Sequence, residues 1–171
     1  MNTIIRKCGV FALFFVLAAC TSSPELITFS VEGGGTQYFF PMMEWKGDKD
    51  INAVVDITYR NTAGARPVCN ISFIYPEKGK SGTPALPGAA YFTADGVKYP
   101  LSEIKVMLSD PAKKQTRITS IIEGSFTSFI RSEDIVLQVS IDGTEYAYVP
   151  GKDFIKYRDV FLAAGADWVL E

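Results

Sequence analysis

Two Asp-Gly dipeptides constrain the fold of this chain more than any other feature. Asp95-Gly96 and Asp142-Gly143 each lie between two runs rich in β-branched and aromatic residues. Asp-Gly is favoured in two-residue hairpin turns because both central residues of a type I′ turn need a positive φ. The chain therefore predicts two tight antiparallel hairpins, and with them an antiparallel sheet.

The strand pattern continues through most of the chain. Further runs predicted as strands are residues 26–31, 36–40, 51–60, 68–75, 103–108, 116–122 and 125–130. Pro41 is predicted to end the second of these runs. In residues 103–108, Ile104, Val106 and Leu108 alternate with more polar or flexible residues, a pattern typical of a strand with one buried and one solvent-facing side.

Near the end of the chain the hydrophobic period changes from two to about 3.6 residues. The apolar residues that recur at this spacing are Phe154, Tyr157, Phe161 and Leu162. Asp153 is a candidate N-cap and Gly165 a candidate C-terminal stop. These features predict one C-terminal helix that packs its aromatic stripe on the sheet.

About nine to eleven short strands with one late helix predict an all-β fold. We expect an antiparallel β-sandwich with one C-terminal α-helix. A sandwich is favoured over a barrel because the strand and loop lengths are uneven. An immunoglobulin-like strand arrangement stays open, although the Cys…Trp…Cys pattern of immunoglobulin domains is missing.

The first twenty residues have the order of a secretory signal. Arg6 and Lys7 precede an apolar run over residues 10–17, and two alanines lead to Cys20. This order resembles a bacterial lipoprotein signal, whose lipobox is Leu-Ala-Ala-Cys or a close variant, here Leu17-Ala18-Ala19-Cys20. The resemblance implies removal of residues 1–19, diacylglycerol on the Cys20 thiol and a further acyl chain, such as palmitate, on the new amine.

Two alternatives to a lipoprotein signal remain for this segment. A transmembrane helix is disfavoured because a span needs about 20 apolar residues, and the stretch from Cys8 to Cys20 is shorter than that. A plain signal peptide that leaves Cys20 unmodified is the second alternative. Two or three acyl chains would anchor the protein stably, whereas one chain binds a membrane reversibly.

The lipoprotein resemblance sets the predicted domain organisation. Residues 1–19 form the signal peptide, residues 20–24 a short tether and residues 25–171 a single domain. The tether spans about 14 Å at most, which predicts that the domain lies close to the membrane. Thr21 follows the lipidated cysteine where Asp would retain some lipoproteins in the inner membrane, so the resemblance favours the outer membrane of the cell envelope.

Composition narrows the function classes. The net charge is −2 and the longest basic run is Lys113-Lys114, so nucleic acid is not an expected partner. The chain has no histidine, which removes the commonest general base and the commonest zinc ligand. We expect no enzyme activity, no cofactor and no metal. Cys69 lies in an apolar run and is predicted to be a buried free thiol.

Two acidic patterns fall short of a functional site. Asp48, Asp50 and Asn52 have the spacing that starts a calcium loop, but Ala53 replaces the required glycine, so an EF-hand is excluded. A looser calcium site at this edge stays open. Glu133-Asp134 would point to opposite faces of a strand and is predicted to be a turn.

One apolar segment is a candidate contact surface. Residues 38–45 are rich in aromatic and methionine side chains and are interrupted by Pro41. Met42, Met43 and Trp45 are residue types that anchor many recognition surfaces. Core packing is the other interpretation of the same segment. The loop of residues 76–88 could bind a partner or simply connect two strands.

The sequence leaves three functional hypotheses. The leading one is a non-enzymatic lipoprotein anchored in the membrane, which binds or scaffolds another envelope protein. The second is a carrier of a small apolar ligand between two sheets. The third, least favoured, is a carboxylate-dependent envelope hydrolase, for which no facing pair of acidic residues is predicted.

Overall fold

The computed structural model describes residues 25–32, 34–48, 52–62, 64, 66–74, 87–110, 115–141 and 143–164. The predicted signal peptide and tether, most of the loop over residues 76–88, and Gly165 lie outside the described residues.

Nine strands and two helices make up this part of the chain. In chain order they are β1 (Ile27–Ser30), β2 (Thr36–Gly47), β3 (Ala53–Arg60), β4 (Val68–Ile74), β5 (Ala89–Ala94), β6 (Val97–Asp110), β7 (Gln115–Ile122), α1 (Phe126–Arg131), β8 (Ile135–Ile141), β9 (Thr144–Pro150) and α2 (Lys152–Ala164). All strand pairs are antiparallel, in the order β1-β2-β3-β4-β7-β6-β5-β8-β9, and β9 also pairs with β2.

The pairing of β9 with β2 closes eight strands into a barrel and leaves β1 as an extra strand on β2. At the seam Trp45 pairs with Pro150, Lys46 with Val149 and Gly47 with Tyr148. The predicted β-sandwich is therefore wrong, and an immunoglobulin-like arrangement is excluded with it. Uneven strand lengths did not argue against a barrel, because the longest strands bend at bulges and pair with different neighbours along their length.

Strand β2 shows how a bulge lets one long strand pair with different neighbours along its length. It was expected to end at Pro41, but it continues to Gly47, with a register shift against β3 between Phe40 and Met43. A bulge tolerates proline because the ladder hydrogen bond is already interrupted there. The first half of β2 pairs with β1 and the second half with β9, so the bulge lies where the sheet changes partner.

The barrel interior is the hydrophobic core. Buried and partly exposed residues alternate along β3, β7 and β8, as expected for strands with one side inside and one outside. An eight-stranded barrel has an interior just wide enough for side chains to fill. Here bulky side chains fill it, among them Phe40, Trp45, Ile57, Ile71 and Phe92.

Helix α1 stands where a strand over residues 125–130 was predicted, so that prediction is wrong. Ser125 caps the helix by accepting a hydrogen bond from the backbone N–H of Ser128. Phe126, Phe129 and Ile130 have helical i, i+3, i+4 spacing and are all buried. The helix follows β7 directly and covers that end of the barrel.

The predicted C-terminal helix is confirmed as α2. Its Phe154 and Phe161 are buried. The helix begins at Lys152, so Asp153 lies in its first turn and is not the cap. Helix α2 continues from β9 alongside the first half of β2, where Phe161 contacts Tyr38 at 5.0 Å between ring centroids.

Candidate contact surfaces

The predicted contact surface of Met42, Met43 and Trp45 divides between the two sides of β2. Met43 is 4 % exposed and Trp45 is fully buried, so both belong to the core. Met42 is 64 % exposed, and its sulfur lies 3.5 Å from a guanidinium nitrogen of Arg117 on the outer face. Of the three residues, only Met42 is available to a partner.

Further exposed apolar residues lie on β1, which pairs with the start of β2. Ile27 and Phe29 are 54 % and 57 % exposed and share one side of β1 because they are two residues apart. Ile27 pairs with Phe39 in register, and the ring of Phe29 contacts that of Phe39 at 5.4 Å in an edge-on arrangement. We call Ile27, Phe29, Phe39 and Met42 the proximal patch, because they lie close in sequence to Cys20.

A second exposed apolar group lies on β6. Val106, Met107 and Leu108 are 37 %, 63 % and 57 % exposed, whereas Val106 and Leu108 were predicted to face the core. Val106 pairs with Ile118 and Leu108 with Arg117, so Met107 is the extra residue of a bulge. We call these three consecutive residues the distal patch.

Ile27, Phe29 and Phe39 of the proximal patch lie toward one end of the barrel strands, and the distal patch lies toward the other. Strand β1 pairs with residues 36–39 at the start of β2. The distal patch pairs with the start of β7, which lies beside the end of β4 and the start of β3. Since β2 and β3 are antiparallel, the start of β3 lies beside the end of β2. Ile27, Phe29 and Phe39 are therefore near the start of β2, whereas Met42 lies close to the level of the distal patch, since its sulfur contacts Arg117, the register partner of Leu108.

The exposure of the distal patch, which was predicted to be partly buried, follows from how β6 pairs with its neighbouring strands. Strand β5 pairs with β6 only over residues 97–100. From Leu101 onward, among the described residues, β6 has a ladder partner only in β7. Val106 pairs with the buried Ile118 but has no described strand on its other side, and the bulge at Met107 shifts the alternation so that Leu108 lies on the outer face beside Arg117.

An ion pair crosses the outer face beside Met42. Arg117 donates to Asp56 at 2.6 Å, and Asn70 donates to the other oxygen of the same carboxylate, also at 2.6 Å. Both charged side chains are partly buried, at 31 % and 16 % exposure. Asp56, Asn70 and Arg117 lie on the neighbouring strands β3, β4 and β7, so these contacts fix the outer faces of the three strands against one another.

A second charged cluster ties the loop before β4 to the ends of β6 and β7. Arg66 contacts the carboxylates of Glu103 and Glu123, and Ser102 donates to Glu123. The hydrogen bond from Ser102, followed by the charge and hydrogen bond of Arg66, lowers the pKa of Glu123 despite some desolvation. Glu123 is therefore ionised at neutral pH and acts as an acceptor within this cluster.

The acidic patterns from the sequence have structural partners. Asp95 accepts hydrogen bonds from the backbone N–H groups of Glu133 and Asp134, so this carboxylate fixes the turn before β8. Asp48 accepts from the backbone N–H of Ala147 at 3.3 Å. Asp50 of the looser calcium hypothesis lies outside the described residues.

Cys69 is a free thiol in the barrel interior, as predicted. It is fully buried, and it pairs in register with Ile57. Desolvation, with a smaller contribution from Asp56, raises the pKa of the Cys69 thiol well above its usual value. The thiol is therefore protonated and unreactive at neutral pH.

Aromatic rings in mutual contact occupy the space between the helices and the sheet. Tyr59 stacks on Phe126 at 4.5 Å, and Trp45 contacts Phe154 at 5.1 Å. Phe129 of α1 contacts Phe92 at 4.9 Å. The indole N–H of Trp45 has no hydrogen-bond partner among the described residues. These contacts join strands and helices into one packed interior.

The described residues contain no group of three or more His, Cys, Asp or Glu side chains arranged to hold a metal ion. Neither described helix has the length and hydropathy needed to cross a bilayer. Comparisons with protein-family models, with curated proteins and with solved structures found no match.

Sequence reasoning identified Met42 as a contact residue, but it did not identify the other residues of the proximal patch or any residue of the distal patch as contact residues. Ile27 and Phe29 alternate with Thr28 and Ser30, a pattern that predicts a strand but does not say which side is buried. The available signal was the position of β1 directly after the predicted tether. For the distal patch no local signal exists, because its exposure depends on the bulge at Met107 and on the pairing of β6 with β7.

Proposed function

We propose that this protein is a lipoprotein of the bacterial cell envelope, anchored through acyl chains on Cys20, whose barrel binds another envelope protein without catalysing a reaction. The anchor is inferred from the lipobox at residues 17–20. Thr21 in place of Asp favours the outer membrane.

The observation that carries the binding function is the distal patch. Val106, Met107 and Leu108 are exposed apolar residues around one bulge of β6, with Leu108 beside Arg117 on the outer face and Val106 beside Ile118. A group of large exposed apolar side chains in a short segment is typical of interaction sites. Met107 is the extra residue of the bulge and the most exposed of the three, and methionine adapts well to a partner.

The packed interior supports this proposal over an apolar-ligand carrier. A carrier needs an enclosed space lined by apolar side chains. In this barrel that space holds rings from both helices, including Phe126, Phe154 and Phe161, each at most 1 % exposed. The charged clusters of Arg66 and Arg117 are engaged in strand-to-strand contacts, so the proposal assigns them no catalytic step.

A crosslinking pull-down from intact membranes tests the binding function. Met107→Ser should reduce capture of a crosslinked envelope protein about fivefold or more, the factor expected when an interface residue contributes about 1 kcal/mol. Val97→Ser is the matched control, since Val97 is 54 % exposed but lies at the hairpin turn away from both patches. Equal capture by the two variants and the wild type would remove the distal patch from the proposal.

The anchor is tested separately. Metabolic labelling with a fatty-acid analogue should label the wild-type protein, and Cys20→Ala should abolish the label. Continued labelling of Cys20→Ala would refute the lipobox assignment.

A further inference from the structure

The proximal patch combines exposure, apolar character and a position beside the anchor. Ile27 and Phe29 are more than half exposed although they belong to a strand. The ring of Phe39 on β2 contacts that of Phe29, and Met42 is an exposed residue three positions farther along the same strand. Strand β1 lies outside the closed ring of eight strands, and all four of its residues are exposed.

The length of chain before β1 limits what can cover this patch. Ile27 follows Cys20 by seven residues, which is at most about 25 Å of extended chain. If the acyl chains of Cys20 are in the bilayer, β1 cannot leave the neighbourhood of the lipid headgroups. A folded partner protein would have to fit into this narrow gap, whereas the lipid surface is already there.

The chemistry of the patch fits a lipid surface. Aromatic and aliphatic side chains on one face of an element insert at the boundary of headgroups and acyl chains. Arg60 is exposed next to the patch and donates to Gln37, which pairs in register with Phe29. An arginine beside an apolar strip can meet lipid phosphates while the strip meets the acyl boundary.

We infer that the proximal patch of Ile27, Phe29, Phe39 and Met42 docks on the lipid surface and fixes the barrel against the membrane. This inference rests on the lipid anchor proposed above. The short tether holds the patch at a high effective concentration near lipid, so a contact too weak to bind a membrane alone is sufficient here.

An environment-sensitive fluorophore on a single cysteine tests the docking. Phe29→Cys and Val97→Cys would be labelled in the acylated full-length protein, because Cys20 carries lipid and Cys69 is buried. Their native side chains are almost equally exposed, at 57 % and 54 %, which makes Val97 the matched control. Met42→Cys gives a second probe within the patch. The proteins are placed in vesicles of phosphatidylethanolamine and phosphatidylglycerol that contain a nitroxide-labelled lipid.

We expect the probes at positions 29 and 42 to shift to shorter wavelength and to be quenched several-fold more by the nitroxide lipid than the probe at position 97. Iodide in the water should quench the probes in the opposite order. Equal iodide quenching at all three positions would overturn lipid docking.

Two further outcomes would each contradict the inference, because a protein rather than lipid would then cover the patch. Shielding of position 29 that appears only in native membranes would mean that a partner protein covers it. Shielding that rises with the protein-to-lipid ratio would mean that a second copy of this chain does.

Mass spectrometry of the same samples separates failure of the docking from failure of the anchor. An acylated Cys20 together with a water-exposed position 29 refutes the docking alone. An unmodified Cys20 refutes the anchor as well.

Discussion

Trp45 provides the sharpest stability test of the closed barrel. Its side chain is fully buried between Phe92 and Phe154 at the seam where β2 meets β9. Truncation of a buried tryptophan to alanine costs about 3–5 kcal/mol. Because the unpaired indole N–H already costs about 1–3 kcal/mol, its removal offsets part of this loss. We therefore expect Trp45→Ala to cost about 3 kcal/mol, or about 6–12 °C in melting temperature for a domain of this size.

Two further variants separate packing from the indole N–H. Trp45→Phe keeps most of the ring and removes the unpaired donor, so it should cost about 1 kcal/mol or less. Met42→Ala changes an exposed side chain on the same strand and should shift the stability by no more than about 0.5 kcal/mol. Urea denaturation measures all three. A loss for Trp45→Ala as small as that for Met42→Ala would refute the placement of Trp45 in the core.

Three other predictions follow from named contacts. A thiol reagent should modify Cys69 slowly in the folded protein and rapidly in denaturant, and equal rates would mean that the thiol is exposed. Gly151→Ala should cost about 1–3 kcal/mol in urea denaturation, because a Cβ atom there would lie 2.5 Å from a backbone oxygen at the seam, while Gly88→Ala, with open space around it, should cost less than about 1 kcal/mol. The folded-state pKa of Glu123 is lowered, so its stabilising effect is present above the unfolded value of about 4.3 and is lost as the pH falls through the folded value. Glu123→Gln should therefore flatten the decline of the denaturation midpoint in acid, and an unchanged decline would contradict the role of the Arg66 cluster.

Local features were predictable from the sequence. The first Asp-Gly turn has positive φ at both Asp95 and Gly96 and joins β5 to β6, as the dipeptide indicated. The helical spacing of Phe154 and Phe161 likewise identified α2. Each of these features depends on residues within about one turn or one hairpin, where sequence and local geometry are directly linked.

Features that depend on distant residues were not predictable in this way. The barrel closes because Trp45 pairs with Pro150, more than a hundred positions later in the chain, and alternation is the same in a sandwich strand and a barrel strand. Helix α1 was mistaken for a strand because the short apolar run after Ser125 suits either element, and only the capping serine distinguishes them. Met43 and Trp45 were candidates for contact because Pro41 was expected to end the strand, whereas a bulge carried the strand onward.

The central claim is that an anchored barrel meets lipid through one apolar patch and a partner protein through the other. Incorporation of a photo-crosslinking amino acid at positions 29, 97 and 107 in intact cells tests it most directly, because all three native side chains are more than half exposed. We predict a discrete protein adduct at position 107, lipid adducts without a protein adduct at position 29, and neither at position 97. The same pattern of adducts at all three positions, or a protein adduct at position 29 alone, would contradict the claim.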